Sequence, residues 1–325
     1  MKKIISTLLL LVMSITALAS CGFWKEDETS DGTIRVGYMA GPTGMGMAKL
    51  IHDTSIDGDK NNYEFTQYVD TATAKADLTA GNIDIICLPT NEAAAYYNSV
   101  DKSLQVLAVN CLNSLFLISD DTSNVTSLAE LEGSTVYTCK NGTPRIIFEY
   151  LVEALELDIT VSYTYGDKEL VTPADVQTQV VAGNLPYAVI PEPIVTASIA
   201  KSSKTYSVDI DLGDEWDKIS ATPVTMGCIV STADFVKNNK NSVDAFLDKY
   251  EESVEFVGDA KNVETAANYV AESKIMGSAP LAKKALLNLG DAIDYIDGDD
   301  MKAALEAFYN AIGVALPADD FYYGN

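Results

Sequence analysis

AGNIDIICLP (Ala80–Pro89) and AGNLPYAVIP (Ala182–Pro191) are the two stretches whose reading decides the fold. Each ends a helical run at Ala-Gly-Asn, continues as an apolar strand and stops at a proline before a new helical run begins. Glycine just past a helix accepts the left-handed turn required there. Proline at the strand end cannot continue the hydrogen-bonded ladder. IDIICLP and YAVIP are apolar without alternation, as expected of strands buried on both faces in a parallel sheet covered by helices. Gly81 and Gly183 are 102 positions apart, and so are Pro89 and Pro191.

Outward from these, a second pair keeps nearly the same spacing. IRVGYMAGPT (Ile34–Thr43) is strand-like, breaks at Gly-Pro and enters an apolar run to Leu50 and Ile51. TVYTCKNGTP (Thr135–Pro144) does the same and enters IIFEYLVEAL. Gly41 to Gly142 and Leu50 to Leu151 are both separated by 101 positions. Two matches in register point to an internal duplication of strand–helix units. The expected fold is α/β, with two doubly wound lobes joined by a two-crossing hinge. In open sheets of this kind ligands gather at the carboxyl ends of the strands, beside helix N-termini. Four loops are thereby nominated to face one cleft: 39–45, 89–92, 140–145 and 191–193.

LQVLAVN (Leu104–Asn110) reads as a strand, Cys111-Leu112-Asn113 as a break, and Ser114–Ser119 as the next strand. PVTMGCIV (Pro223–Val230) reads as the return crossing. A pair of extended crossings suits a hinge that closes a cleft. The expected division is 34–112 plus 224–325 for the first lobe and 113–223 for the second. Beyond Ala233 the pattern is helical, with Val243, Phe246, Leu247 and Tyr250 on one stripe, and this tail is expected to pack mainly on the first lobe.

The N-terminal end reads differently. Lys2 and Lys3 precede an apolar run, Ile4–Leu18, followed by Leu18-Ala19-Ser20-Cys21. That is the layout of a secretory signal over 1–20 rather than of a spanning helix. The tetrad looks like a bacterial lipobox, which makes Cys21 the expected lipidation site and residues 21–33, polar and acidic, a tether. The remaining length is too great for one ordinary core.

The formal net charge is −25 and the isoelectric point about 4.2, which argues against nucleic acid or an anionic lipid surface as partner. Cys87, Cys111, Cys139 and Cys228 stand in apolar, strand-like surroundings and form no metal-binding spacing. GPTGMG (Gly41–Gly46) lacks the Gly-Lys-Ser/Thr of a phosphate loop. DGDD (Asp297–Asp300) lacks calcium-loop spacing. No metal and no cofactor is expected.

Within the nominated loops the first lobe offers Tyr38, Met39, Gly41, Pro42 and Thr43, then Pro89, Thr90 and Asn91. The second offers Asn141, Gly142, Thr143, Glu192 and Pro193. Tyr38 and Met39 supply a flat ring and an adaptable thioether, or else core packing. Thr43 and Thr143 stand where a hydroxyl caps a helix, and the neighbouring amides suit an anionic edge. Arg145, one of two arginines, either clamps an anion or lies on a solvated helix face. Glu92 either reaches the cleft or faces solvent. His52, the sole histidine, sits on a helix as an exposed side chain, away from any base-like setting.

Taken together, the lipobox, IRVGYMAGPTGMGMAKL, AGNIDIICLP, LAELEGSTVYTCKNGTPRIIFEYL, VVAGNLPYAVIPEPIVTAS and GCIVSTADFVKNNKNSVDAFLDKY resemble the solute-binding lipoproteins of ABC transporters. The similarity is to the nitrate/sulfonate/taurine and THI5-like family, which has the type II periplasmic-binding fold. That resemblance implies a cleft lined by Gly41, Pro42 and Thr43 on one side and by Glu192 and Pro193 on the other. It implies a small organic ligand (a sulfonate, a pyrimidine or another small aromatic solute), an ABC permease as partner, a lipid anchor to the membrane, a monomer and an extracytoplasmic location. Enzymes share the architecture: the THI5-like pyrimidine synthases and menaquinone-pathway dehydratases. A ligand-presenting sensor lipoprotein is a third option. No nucleophile and base pair can be assembled from the nominated loops, so the expectation is a binding protein that is not an enzyme.

Overall fold

The computed structural model describes residues 32–57, 62–100, 103–120 and 125–324. The expected signal segment, the Cys21 lipidation site and nearly all of the tether lie outside the described residues.

Twelve strands are described: β1 (Ile34–Met39), β2 (Tyr63–Tyr68), β3 (Ile85–Pro89), β4 (Leu104–Cys111), β5 (Leu115–Asp120), β6 (Thr135–Tyr137), β7 (Thr160–Ser162), β8 (Thr164–Tyr165), β9 (Lys168–Glu169), β10 (Tyr187–Pro191), β11 (Tyr206–Asp211) and β12 (Gly227–Thr232). Ten of them build two five-stranded sheets, ordered β2-β1-β3-β12-β4 and β11-β5-β10-β6-β7. Read from β7, the second order repeats the first: β7-β6-β10-β5-β11. The strands that share sequence, β1 with β6 and β3 with β10, hold equivalent places. The matched glycines behave alike as well. Gly81 has φ 70° and Gly183 φ 73°, the left-handed conformation that ends a helix without the steric cost of a Cβ.

The sheets are mostly parallel, as expected, with one antiparallel member each. β12 runs against β3 and β4, and β5 runs against β10 and β11. These are the strands on which the chain arrives from the other lobe. The other central strands end at the lobe boundary, so a strand that starts there must run the opposite way.

Period-two alternation explains the apolar runs. Ile85 and Cys87 enter one hydrophobic cluster while Ile86 and Leu88 enter the other, and all four are buried. Ala188 and Ile190 against Val189 do the same in the second sheet. Each cluster extends over one face of both sheets. Helices Ala48–Asp57, Lys240–Gly258, Val263–Glu272 and Ile194–Lys201 cover one face; Thr90–Ser99, Thr143–Ala154 and Gly298–Ala311 cover the other. Arg35 pins β1 to β3: its side chain forks onto Asp84 at 3.0 and 2.6 Å while its amide donates to the same carboxylate at 2.8 Å.

The tail is helical beyond Thr232, as the stripe predicts. Lys240–Gly258 and Val263–Glu272 pack on Ala48–Asp57 of the first lobe. The helix Ala279–Leu289 also packs on Ile194–Lys201 of the second, because its apolar residues Ala282, Ala285 and Leu286 belong to the cluster that both lobes share. The tail is thus not confined to one lobe.

Candidate functional site

The strand register brings the nominated loops to the crossings. Pro89, the last residue of β3, pairs with Gly227, the first of β12, and Gly227 also pairs with Cys111 at the end of β4. On the other side Pro191 pairs with Leu115, the first residue of β5. The carboxyl ends of β3, β4 and β10 therefore abut the two crossings.

The loop after β3 is clamped onto the return crossing. The Thr90 amide donates to the Met226 carbonyl at 3.2 Å and its hydroxyl donates to the Thr225 carbonyl at 2.5 Å. Tyr309 donates its hydroxyl to the Thr90 carbonyl at 2.9 Å. Thr90 is fully buried, so its side chain holds the loop. Asn91 beside it is half-buried and accepts a hydrogen bond from the Thr143 hydroxyl at 3.3 Å. This contact joins the loops after β3 and β6, one from each lobe.

The first loop is held from below. Gly41 and Pro42 open the short helix Pro42–Met45. The Thr43 carbonyl accepts from Asn110 Nδ2 at 2.8 Å, and that amide also donates to the Tyr250 hydroxyl at 2.6 Å. Only glycine fits at 227: a Cβ there would stand 2.3 Å from Thr43 Cγ2 and 2.7 Å from Asn110 Oδ1. Tyr38 is buried and donates to the Ser273 carbonyl at 3.0 Å, and burial raises its phenol above the usual range. Met39 is half-buried against the opposite hydrophobic cluster.

In the second lobe Asn141 and Gly142 are exposed, and the Asn141 amide donates to the Val171 carbonyl at 3.1 Å. Arg145 Nε lies 3.6 Å from Glu149 Oε2, on a half-exposed helix position. Glu192 has no exposure. Its carboxylate accepts from the Thr196 amide at 3.1 Å, the Thr196 hydroxyl at 2.8 Å and Asn288 Nδ2 at 2.6 Å. Burial raises its pKa and the Asn288 and Thr196 donors oppose that rise. Pro193 precedes the helix Ile194–Lys201. Glu92 is taken up by Lys75 at 2.8 Å and the Thr71 hydroxyl at 2.7 Å. His52 stacks on Tyr269 at 3.8 Å and pairs with Glu272 at 2.9 Å, on the helices rather than at the crossings.

Sequence reasoning missed several residues at the crossings. Asn113 donates to Asp211, the last residue of β11, whose carboxyl burial pushes up to about 6. Asn110 Oδ1 and Thr225 Oγ1 are buried without a hydrogen-bond partner. Met226 touches both hydrophobic clusters. A polar residue closing an apolar run, as Asn110 closes LQVLAVN, was the one signal available. A cavity of about 480 Å³ lies beside the return crossing, lined by Thr222, Pro223, Glu251, Tyr295, Asp297 and Asp300 among others, and none of the candidate loop residues lines it. Among the described residues no group of three or more His, Cys, Asp or Glu side chains could hold a metal ion, and no helix is long and apolar enough to cross a membrane.

Comparison with known proteins fits this geometry. A menaquinone-biosynthesis family profile matches residues 152–313. A search of curated protein sequences gives no significant match. Among solved structures, an ABC transporter protein from Parabacteroides distasonis superposes with a TM-score of 0.71 at 20% identity, covering 90% of this chain and 99% of that one. The periplasmic aliphatic sulphonate-binding protein SsuA from Escherichia coli gives 0.67 at 17% identity, covering 90% and 92%. The periplasmic nitrate-binding protein NrtA from Synechocystis gives 0.61 at 14%, covering 87% and 81%. With the two sheets of repeated order and the paired crossings, these likenesses identify the fold of the chain as the type II periplasmic-binding fold.

Proposed function

We propose that the chain is an extracytoplasmic solute-binding lipoprotein that captures a small organic molecule between its lobes and delivers it to an ABC importer. The carrying observation is the Thr143–Asn91 hydrogen bond, which joins loops of the two lobes at the ends of β3 and β6. In this reading the lobes are 34–112 plus 224–325 and 113–223, and the chain is a monomer anchored through Cys21. Gly41, Pro42, Thr43, Asn91, Asn141, Gly142 and Thr143 offer hydrogen-bonding groups to the ligand, and Met39 offers an apolar edge. Tyr38, Pro89, Thr90, Glu192 and Pro193 hold those loops, since the Tyr38, Thr90 and Glu192 side chains are committed to protein partners. The negative charge suits neither nucleic acid nor an anionic lipid surface. Sulfonates, the class named for one of the similar structures, stand among the candidates, together with pyrimidines and other small aromatic solutes.

A thermal-shift screen of the full chain against sulfonates, nitrate, pyrimidines, flavins and aromatic acids tests this, because a bound ligand raises apparent stability by mass action. The expected result is one class that stabilises the protein, binds once per chain and loses affinity in Asn91→Ala. A ligand whose affinity ignores Asn91→Ala and Thr143→Ala overturns the cleft assignment.

A second reading is an enzyme on the same fold, favoured by the menaquinone-biosynthesis profile over 152–313. Conversion of the stabilising ligand on incubation, followed by mass spectrometry, would establish it; recovery of unchanged ligand supports the transport receptor.

A further inference from the structure

Asn288 and Glu192 meet between the two lobes. Asn288 lies on the helix Ala279–Leu289, which packs on Val263–Glu272, and that helix packs on Ala48–Asp57 of the first lobe. Glu192 lies on the loop after β10 in the second lobe and is fully buried. Of the three donors to its carboxylate, two belong to Thr196 on the adjoining helix and travel with Glu192. Only the Asn288 amide, at 2.6 Å, comes from the first lobe's side. No cationic side chain stands among the partners of Glu192. A buried carboxylate without a cation depends on its donors, and losing one leaves desolvated charge short of compensation. The helix Ala279–Leu289 also packs on Ile194–Lys201, so a rotation that parts the lobes breaks this bond when the helix stays with Val263–Glu272, and the Thr196 bonds survive it.

The opposite sheet face carries a weaker counterpart. There Thr143 donates to Asn91 between two neutral groups at 3.3 Å, and Trp216 packs on Phe308 with ring centroids 5.7 Å apart. The Asn288–Glu192 contact is shorter, 2.6 Å against 3.3 Å, and is the firmer of the two polar ties.

We propose that Asn288 is a positioning residue for the ligand cleft: through the Glu192 carboxylate it holds the Glu192–Pro193 loop against the first lobe and sets how readily the lobes part. The proposal rests on the reading of the lobe boundary as a cleft, but its test needs no ligand, so it is answered whether or not a solute is found.

The test is hydrogen exchange, read by mass spectrometry, on the full chain and its Asn288→Ala and Glu192→Gln variants. Asn288→Ala is expected to speed exchange about ten-fold or more in peptides covering 89–97 and 140–148, on the far sheet face, while β1 and β3 stay protected. Glu192→Gln, which keeps the shape and removes the charge, is expected to give a smaller change in the same peptides. Acceleration confined to 192–201 and 279–289 would show a purely local packing role and overturn the proposal. Should Asn288→Ala unfold, the same two outcomes in Glu192→Gln decide it.

Discussion

Thr143, at the first turn of a second-lobe helix, donates its hydroxyl to the Asn91 side chain of the first lobe at 3.3 Å. The two residues are 52 positions apart in the chain and belong to loops equivalent to no common local motif. Their meeting follows from the strand directions, since β3 ends against the return crossing and β6 runs parallel to β10, which ends against the first. A neutral hydrogen bond of this length contributes only about 0.5–1.5 kcal/mol. Thr143→Val is therefore expected to lower unfolding free energy by about 1 kcal/mol or less in urea titration. It should nonetheless raise hydrogen exchange several-fold around 140–148, because the buried Thr143 hydroxyl ties that segment to Asn91.

Gly227→Ala should act on the loop after β1 from beneath. The added Cβ would fall 2.3 Å from Thr43 Cγ2 and 2.7 Å from Asn110 Oδ1, distances no packed carbon adopts. Either the loop 41–45 shifts or β12 parts from β4. Overpacking of this kind costs about 1–3 kcal/mol. A lowered denaturation midpoint is expected, and an unchanged midpoint would mean that the loop yields freely.

Asp211 predicts a pH dependence. Burial comes first in pushing its pKa up to about 6, and Asp214 and Asp217 add to the rise against the Gly213 amide and Asn113. The unfolded chain releases this proton near pH ~3.9. The folded protein thus holds the proton more tightly, and its contribution to stability is gained as pH falls through about 6 toward 4 and lost above. At pH 8 the ionised group costs folding roughly 2–3 kcal/mol. Asp211→Asn keeps a side-chain cap for the helix Leu212–Trp216 and removes the charge. Its stability relative to wild type should rise from pH 4 to pH 8; urea titrations showing a flat difference would reject this.

The thiols should be inert. Cys87, Cys111, Cys139 and Cys228 are buried and unpaired with one another. Burial pushes Cys87 and Cys111 up to about 12 and Cys139 to about 11, so little thiolate exists at neutral pH. Maleimide labelling of these four is expected only after denaturation, as read by peptide mapping.

The fold was legible in the sequence because its signals are local. A strand apolar on both faces, a glycine with φ near 70° and a proline stop are each set by a few neighbours, and their repetition at nearly the same offset carried the two-lobed architecture. Strand polarity was only partly legible: the antiparallel β5 and β12 arise from the direction in which the chain enters each sheet, which no residue encodes. Of the nominated residues, Asn91 and Thr143 meet across the boundary, whereas Tyr38, Thr90 and Glu192 have their polar groups taken by Ser273, Thr225 and Asn288. Those partners lie 235, 135 and 96 positions away.

Short-range chemistry by itself therefore determined which segments become strands and helices, that the units occur twice, and which loops lie at the carboxyl ends of the strands. Tertiary structure alone decided which polar side chains in those loops remain free. A hydrogen-bonding group is spent or available according to what burial brings beside it, and partners such as Asn110 and Asn288 reach their places only when distant helices pack on a core that both lobes share.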